Sequence, residues 1–391
     1  MSKKALFTLF LVIFIDLAGF GIIIPILPYY AQNYGAKGFE IGLLMSIYSF
    51  MQFLIAPLWG KLSDRVGRRP VLLVSILGTC LSLIVLGLAQ SLTWLFIARF
   101  LAGICGANIS TAYAYVSDVT TEKNRAKGMG IIGAAFGLGF MFGPAIGGLL
   151  SQYSYQAPMF FGAALAAVNF IFAWFSLKEP KISEEIRATH RHQPRSFKVF
   201  QKVLGQSSQT LLAIGLFFLV VIAVTQMEVL FAIFMKAEYG FNAKKAGMAL
   251  AGLGLIMVLI QGGAIGRLTK KFGEKKLIFF GTAIGCIGLS IFAATNSVWV
   301  AMISLCFMTI GHSFLHPCLS SLASLSAPKQ FRGTTMGVFH SAGSLARVVG
   351  PPTAGALYDH INHGAPFYSG ALILAVGFFI LFIYERKRVE S

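Results

Sequence analysis

Seven ionisable side chains stand inside long apolar runs of this chain: Asp16, Arg99, Glu228, His312, His316, His340 and Arg347. Charge in hydrocarbon is costly, so such groups face a partner, a water-filled cavity or the route of something charged. Asp16 and Glu228 are the only acids well inside the runs. A carboxylate that alternates between a proton and a cargo is what proton-coupled carriage needs, and the competing reading makes each acid half of a fixed ion pair, with Arg347 as the cation. Asp16 lies about 17 Å from the start of its run at 1.5 Å per residue, near the middle of a bilayer. Arg99 either faces a partner or snorkels to the headgroups. His312 and His316 are four apart and share a helix face. With His340 they read as a proton relay, as a transition-metal site or as plain hydrogen-bonded groups; no carboxylate or thiolate completes a ligand set, so no metal is expected. Arg347 suits a carboxylate or phosphate on a ligand, or balances Glu228 or Asp16. Tyr48 and Tyr113 are candidates to line an apolar pocket for flat organic molecules.

The elements that must position these groups follow from composition. Only 12% of residues are charged and 56% are hydrophobic, against about 25% charged in a soluble domain. So few charges cannot cover a water-facing surface, and a lipid-facing one is expected. The net charge of +18 does not indicate nucleic acid, because the basic residues lie in short loops and form no basic face with interleaved aromatics. Twelve runs are long enough to span: 5–30, 39–59, 71–90, 92–118, 125–150, 157–177, 209–236, 243–266, 276–295, 297–325, 332–358 and 365–384. Backbone groups cannot stay unpaired in lipid, so runs of this length are helices. The first begins after Lys3 and Lys4 like a signal peptide, but it is too long and lacks a small-x-small cleavage site, so a retained first span is expected. Cys80, Cys105, Cys286, Cys306 and Cys318 all fall inside runs and read as packing residues.

With the N-terminus inside, the cytoplasmic segments hold 26 of the 32 Lys and Arg residues and the outer loops only Lys37, Lys236, Lys244 and Lys245. This split predicts a multi-pass protein of the inner or plasma membrane with both termini in the cytoplasm. The chain is also duplicated. Arg125, Met129, Gly130, Gly143, Pro144 and Gly148 recur 207 residues on as Arg332, Met336, Gly337, Gly350, Pro351 and Gly355, and Gly60 recurs as Gly266. A near-constant offset over several helices is a tandem repeat. The halves are 1–178 and 208–391, joined by a cytoplasmic linker at 179–207. That linker is basic, and is either a regulatory segment or a solvated one lying on anionic headgroups.

Two motifs remain. Gly60-Lys-Leu-Ser-Asp64-Arg65-Val-Gly67-Arg68-Arg69 joins the second and third spans. Its glycines permit a tight turn, Asp64 can accept from a helix N-terminus, and its arginines can bind a carboxylate such as Asp118; otherwise it is simple topogenic charge. Its copy, Gly266 to Gly273, has Lys270 at the position of the acid. The fifth span runs from Gly133 through Gly137, Gly143 and Pro144 to Gly147 and Gly148, a small-residue stripe that lets helices approach backbone to backbone. The Gly60–Arg69 loop resembles the signature loop of the major facilitator superfamily, and the fifth span resembles the motif of its drug:proton antiporter branch. The stretch SDRVGRRPVLLVS looks most like tetracycline-resistance-type efflux pumps. The resemblance covers nearly the whole chain.

It implies an all-α membrane protein of 12 transmembrane helices in two six-helix pseudo-symmetric bundles. It implies proton-coupled export of amphipathic organic compounds by a monomer that uses the proton gradient and no cofactor. Asp16, Glu228 and Arg99 would couple protons, and Gly60, Asp64, Arg65, Gly67, Arg68, Arg69 and Asp118 would form a conformational latch. The rival reading is a carrier for an organic anion, metabolite or siderophore, built on Arg347 and the histidines. An enzyme is not expected, since HExxH, GxSxG and a phosphate-binding glycine loop are all missing.

Overall fold

The computed structural model describes residues 3–106, 109–119, 122–180, 207–328 and 332–390. The expected linker at 179–207 therefore lies outside the described residues over 181–206. Among the described residues every regular element is helical. The first part of the chain forms α1 (Lys3–Ile23), α2 (Leu27–Gln32), α3 (Gly38–Val66), α4 (Arg68–Gly87), α5 (Leu92–Cys105), α6 (Ile109–Val119), α7 (Glu122–Leu150) and α8 (Ala157–Ser176). The second forms α9 (Ser208–Tyr239), α10 (Ala243–Leu259), a π-helical turn (Ile260–Ala264), α11 (Ile265–Phe272), α12 (Glu274–Ala294), α13 (Val298–Ser326), α14 (Arg332–His360) and α15 (Ala365–Glu390).

Ten helical segments among the described residues are long and apolar enough to cross a membrane. Two of the twelve expected runs are not among these ten. In the run at 92–118, α5 ends at Cys105 and α6 starts at Ile109, and residues 107–108 lie outside the described residues. The run at 332–358 is one helix of 29 residues, less apolar because it carries His340, Arg347 and two prolines. The first span is broken, between α1 and α2, at Pro25, which cannot donate to the helical ladder. The tandem repeat is visible in detail: Gly67 (φ +107°) and Gly273 (φ +79°), 206 residues apart, sit immediately ahead of α4 and α12. Both need the left-handed region that only glycine enters cheaply.

Contacts divide the chain into two units. The first holds Met1–Ala36, Ile47–Gln193 and Phe241–Leu255; the second holds Lys37–Ser46, Pro194–Gly240 and Ile256–Ser391. The first unit buries Leu9, Val12, Ile13 and Leu17 of α1 against Leu72, Leu73 and Ile76 of α4, Tyr115 and Val116 of α6, and Ala173 of α8. In the second unit Phe234 of α9, Phe292 of α12 and Phe367 of α15 meet with ring centroids 4.7 to 5.0 Å apart. Their edge-to-face pairs, Phe234–Phe367 and Phe292–Phe367, add about 0.5–1.5 kcal/mol each beyond the burial itself.

Candidate functional site

The second unit brings five of the ionisable groups together. Arg347 on α14 acts electrostatically on Glu228 of α9, on His312 and His316 of α13, and on His340 about two turns earlier along α14. Glu228, His312 and His316 are half-buried, while His340 and Arg347 are accessible. The sequence left Arg347 a choice between Asp16 and Glu228, and within this unit Glu228 is the acid it acts on. Aromatic rings frame the imidazoles: Phe217 meets His316 edge-on at 5.3 Å and stacks on Phe339 at 3.9 Å, and Phe339 meets His340 at 5.6 Å. The set has one acid, one fixed cation and three groups able to take or lose a proton, all on helices. Among the described residues no group of three His, Cys, Asp or Glu side chains is placed to hold a metal ion.

The first unit handles its cation differently. Arg99 on α5 is only 2% exposed, so it does not snorkel. Its guanidinium lies 4.4 Å from the Tyr48 ring centroid and 5.9 Å from that of Phe20. Those two rings stack at 5.0 Å. A desolvated cation over an aromatic face gains about 2 kcal/mol or more. Gln52, one turn on from Tyr48, donates to the Gly106 carbonyl at 2.8 Å, which fixes the face of α3 that carries Tyr48. Asp16 is half-buried on α1. Tyr113 belongs to α6, but its side chain lies outside the described residues. A cavity of about 280 Å³ in this unit, lined by Phe14, Ala18, Phe142 and Phe161 among others, is wholly apolar and has nothing to bind charge.

The loop between α3 and α4 is a closed polar network. Arg68 is 5% exposed. Its guanidinium meets Asp64 at 2.6 Å, Asp118 at 2.9 Å and the Ser63 hydroxyl at 2.6 Å. Glu179 accepts from the backbone N–H groups of Arg68 at 2.7 Å and Arg69 at 2.8 Å, capping α4. Arg69 donates to the Trp174 carbonyl at 2.6 Å and lies 5.5 Å from the Trp174 ring centroid. Arg65 is exposed and Gly60 half-buried on α3. Removing one partner of a buried pair of this kind costs about 3–5 kcal/mol, because the other charge is left uncompensated. Reading the sequence missed Glu179 and Ser63: an acid just past a span looks solvated, and a serine beside charges looks incidental.

The glycine stripe of α7 meets two helices. Gly143 faces Gly21 of α1, where an added Cβ would come within 2.6 Å of the Gly21 Cα. Gly147 faces the Ile22 carbonyl closely enough that any Cβ would overlap it. On another side Gly148 faces Gly247 of α10, and a Cβ on Gly247 would overlap the Pro144 carbonyl oxygen. Gly137 is buried, whereas Gly133 has open space around it.

A family model described as Major Facilitator Superfamily matches residues 9–266 and 229–391. The chain is 31% identical to the class E tetracycline resistance protein of Escherichia coli, over all of this chain and 97% of that one. It is 28% identical to multidrug resistance protein 2 of Bacillus subtilis strain 168, over all of this chain and 98% of that one. Among solved structures it resembles a bacterial homolog of the human lysosomal transporter Spinster, with TM-score 0.81 and 16% identity over 99% of this chain and 98% of that one. It also resembles the human organic anion transporter MFSD10, with TM-score 0.74 and 24% identity over 97% and 99% of the two chains.

Proposed function

We propose that this chain, which belongs to the Major Facilitator Superfamily, exports amphipathic organic compounds in exchange for protons by alternating access. It is a multi-pass membrane transporter related to tetracycline and multidrug efflux proteins, and its substrate is a small molecule. The observation that carries the coupling is the company of Arg347, which acts electrostatically on Glu228 and on three imidazoles. Ionised Glu228 is balanced by Arg347. A cationic group on the cargo competes for that carboxylate with the proton, so loading one expels the other. Each species then shifts the balance between facing states by its differential affinity. Asp16 is the second proton carrier, and Arg99, held on Tyr48 and Phe20, is the fixed charge of its half. Halves 1–178 and 208–391 rock about a midplane site, both termini in the cytoplasm, and the loop network around Arg68 latches one facing state.

A second reading is favoured by the accessibility of Arg347. A planar, always-charged guanidinium beside imidazoles suits a carboxylate-bearing cargo, which makes the chain a carrier for organic anions. Vesicles containing the purified protein, given an imposed pH gradient and a panel of tetracyclines, cationic dyes and organic acids, test both. Gradient-driven accumulation of a cationic or zwitterionic compound is expected, with Asp16→Asn abolishing accumulation but sparing binding. Movement of every compound that ignores the gradient overturns proton coupling. Under the export reading Arg347→Glu should leave cationic cargo moving; transport of organic acids by the unaltered protein that is lost in Arg347→Glu selects the anion reading.

A further inference from the structure

The first N–H groups of a helix have no partner inside it, and the residue just ahead usually supplies one from a Ser, Thr, Asp or Asn side chain. Ahead of α3 stands Lys37, whose side chain has no acceptor. The acceptor comes instead from the far end of the chain. Asp359, near the end of α14, takes the Gly38 N–H at 2.9 Å on one carboxylate oxygen and the Phe39 N–H at 2.7 Å on the other. Both residues belong to the second unit. A carboxylate at the positive end of a helix is held by its dipole as well as by its hydrogen bonds.

The surfaces behind this cap fit without side chains between them. Gly38, Gly42 and Ser46 lie four apart on one face of α3. A Cβ on Gly42 would overlap the Pro351 carbonyl oxygen, and one on Gly355 would overlap the Gly38 carbonyl oxygen. Pro352 has no N–H to give the Val348 carbonyl, four residues earlier. The Ser46 hydroxyl donates to that same carbonyl. Three hydrogen bonds thus join α3 to α14 while the two helices are seated.

We infer that Asp359 is a positioning residue of the transport cycle: its carboxylate is the detachable cap of α3, formed when the Gly38 end of α3 seats on α14 and released when that end is freed. The charge split assigns this end to the outside, so the cap holds the outer side closed. Its place in a cycle rests on the export reading; the capping itself does not.

Hydrogen–deuterium exchange on the full chain in lipid nanodiscs, without cargo, tests the cap directly. In Asp359→Asn, which keeps the side-chain shape and loses the charge, the 37–46 segment should exchange about tenfold faster than in the unaltered protein, with 241–255 unchanged. Unaltered exchange at 37–46 overturns the inference. So does faster exchange spread over all helices, because the effect is then not local. Gly42→Ala, with Asp359 intact, should expose the same segment by forcing the helices apart; protection there equal to the unaltered protein also counts against it. In vesicles Asp359→Asn should lower the maximal transport rate about three- to tenfold with half-saturation unchanged. A raised half-saturation instead assigns Asp359 to cargo binding and overturns the positioning role. Vesicles that move no compound while 37–46 still responds sink the export reading and leave the cap standing.

Discussion

In the second unit Gly42 of α3 abuts the Pro351 carbonyl of α14; in the first unit Gly247 of α10 abuts the Pro144 carbonyl of α7. Pro144 and Pro351 are 207 residues apart, and Gly42 and Gly247 are 205 apart, so these are two copies of one contact. The polar groups around them diverge. Asp359 corresponds to Gln152, which accepts from Lys244 Nζ at 3.0 Å rather than capping a helix. Ser46 corresponds to Ala251 and Pro352 to Ala145. The last two differences go together, since the proline frees a carbonyl and the serine answers it, while the copy has neither the freed carbonyl nor the hydroxyl. Backbone contact tolerates only glycine, so the steric plan is common to both copies. Electrostatics at the ends of a contact are under no such constraint, and there the copies have separated into a seam joined through a carboxylate and one joined through an amide and a lysine.

The largest effect should come from breaking what the seams share. Gly42→Leu and Gly247→Leu each place a side chain where a carbonyl stands, and each should reduce transport at least about 100-fold. A loss at only one position would show that the two contacts are not equivalent. Next come the groups that differ. Ser46→Ala leaves the Val348 carbonyl without a donor and should destabilise the protein by about 1–3 kcal/mol in thermal unfolding. Ala251→Ser should be near neutral, because the Met141 carbonyl keeps its ladder partner, the N–H of Ala145. Equal effects would mean that Pro352 is not the reason for Ser46. The smallest effect should come from Gln152→Asp, which gives the second seam an acid beside Lys244. About 0.2–1 kcal/mol of added protection is expected in exchange over 241–255 at low salt, disappearing at high salt as the pair is screened. Protection that persists in high salt would point to packing rather than charge.

Much of the fold was legible in the sequence. Span length, the placement of Lys and Arg, and the 207-residue repeat are each carried by short stretches, and they suffice for an all-helical membrane protein of this family. Local breaks were less legible. The break between α1 and α2 at Pro25 leaves hydropathy nearly unaltered, because hydropathy averages over a window and does not register a local loss of helix. In the site, the ionisable residues stood out because apolar surroundings made them conspicuous. Asp359 and Glu179 did not stand out, because each lies at the end of an apolar run, where acids are ordinary.

By itself, the amino-acid order determined which stretches are helical, that they belong in a bilayer, that the chain is doubled, and which charged groups are stranded among apolar ones. Only tertiary structure decided the partners: Glu228 for Arg347, the Tyr48 and Phe20 rings for Arg99, and the first amides of α3 for Asp359. The division has a physical cause. Hydrophobic length and charge placement act on neighbours along the chain, whereas a cap supplied from 321 residues away exists only once two helices have packed closely enough for glycine alone to fit between them.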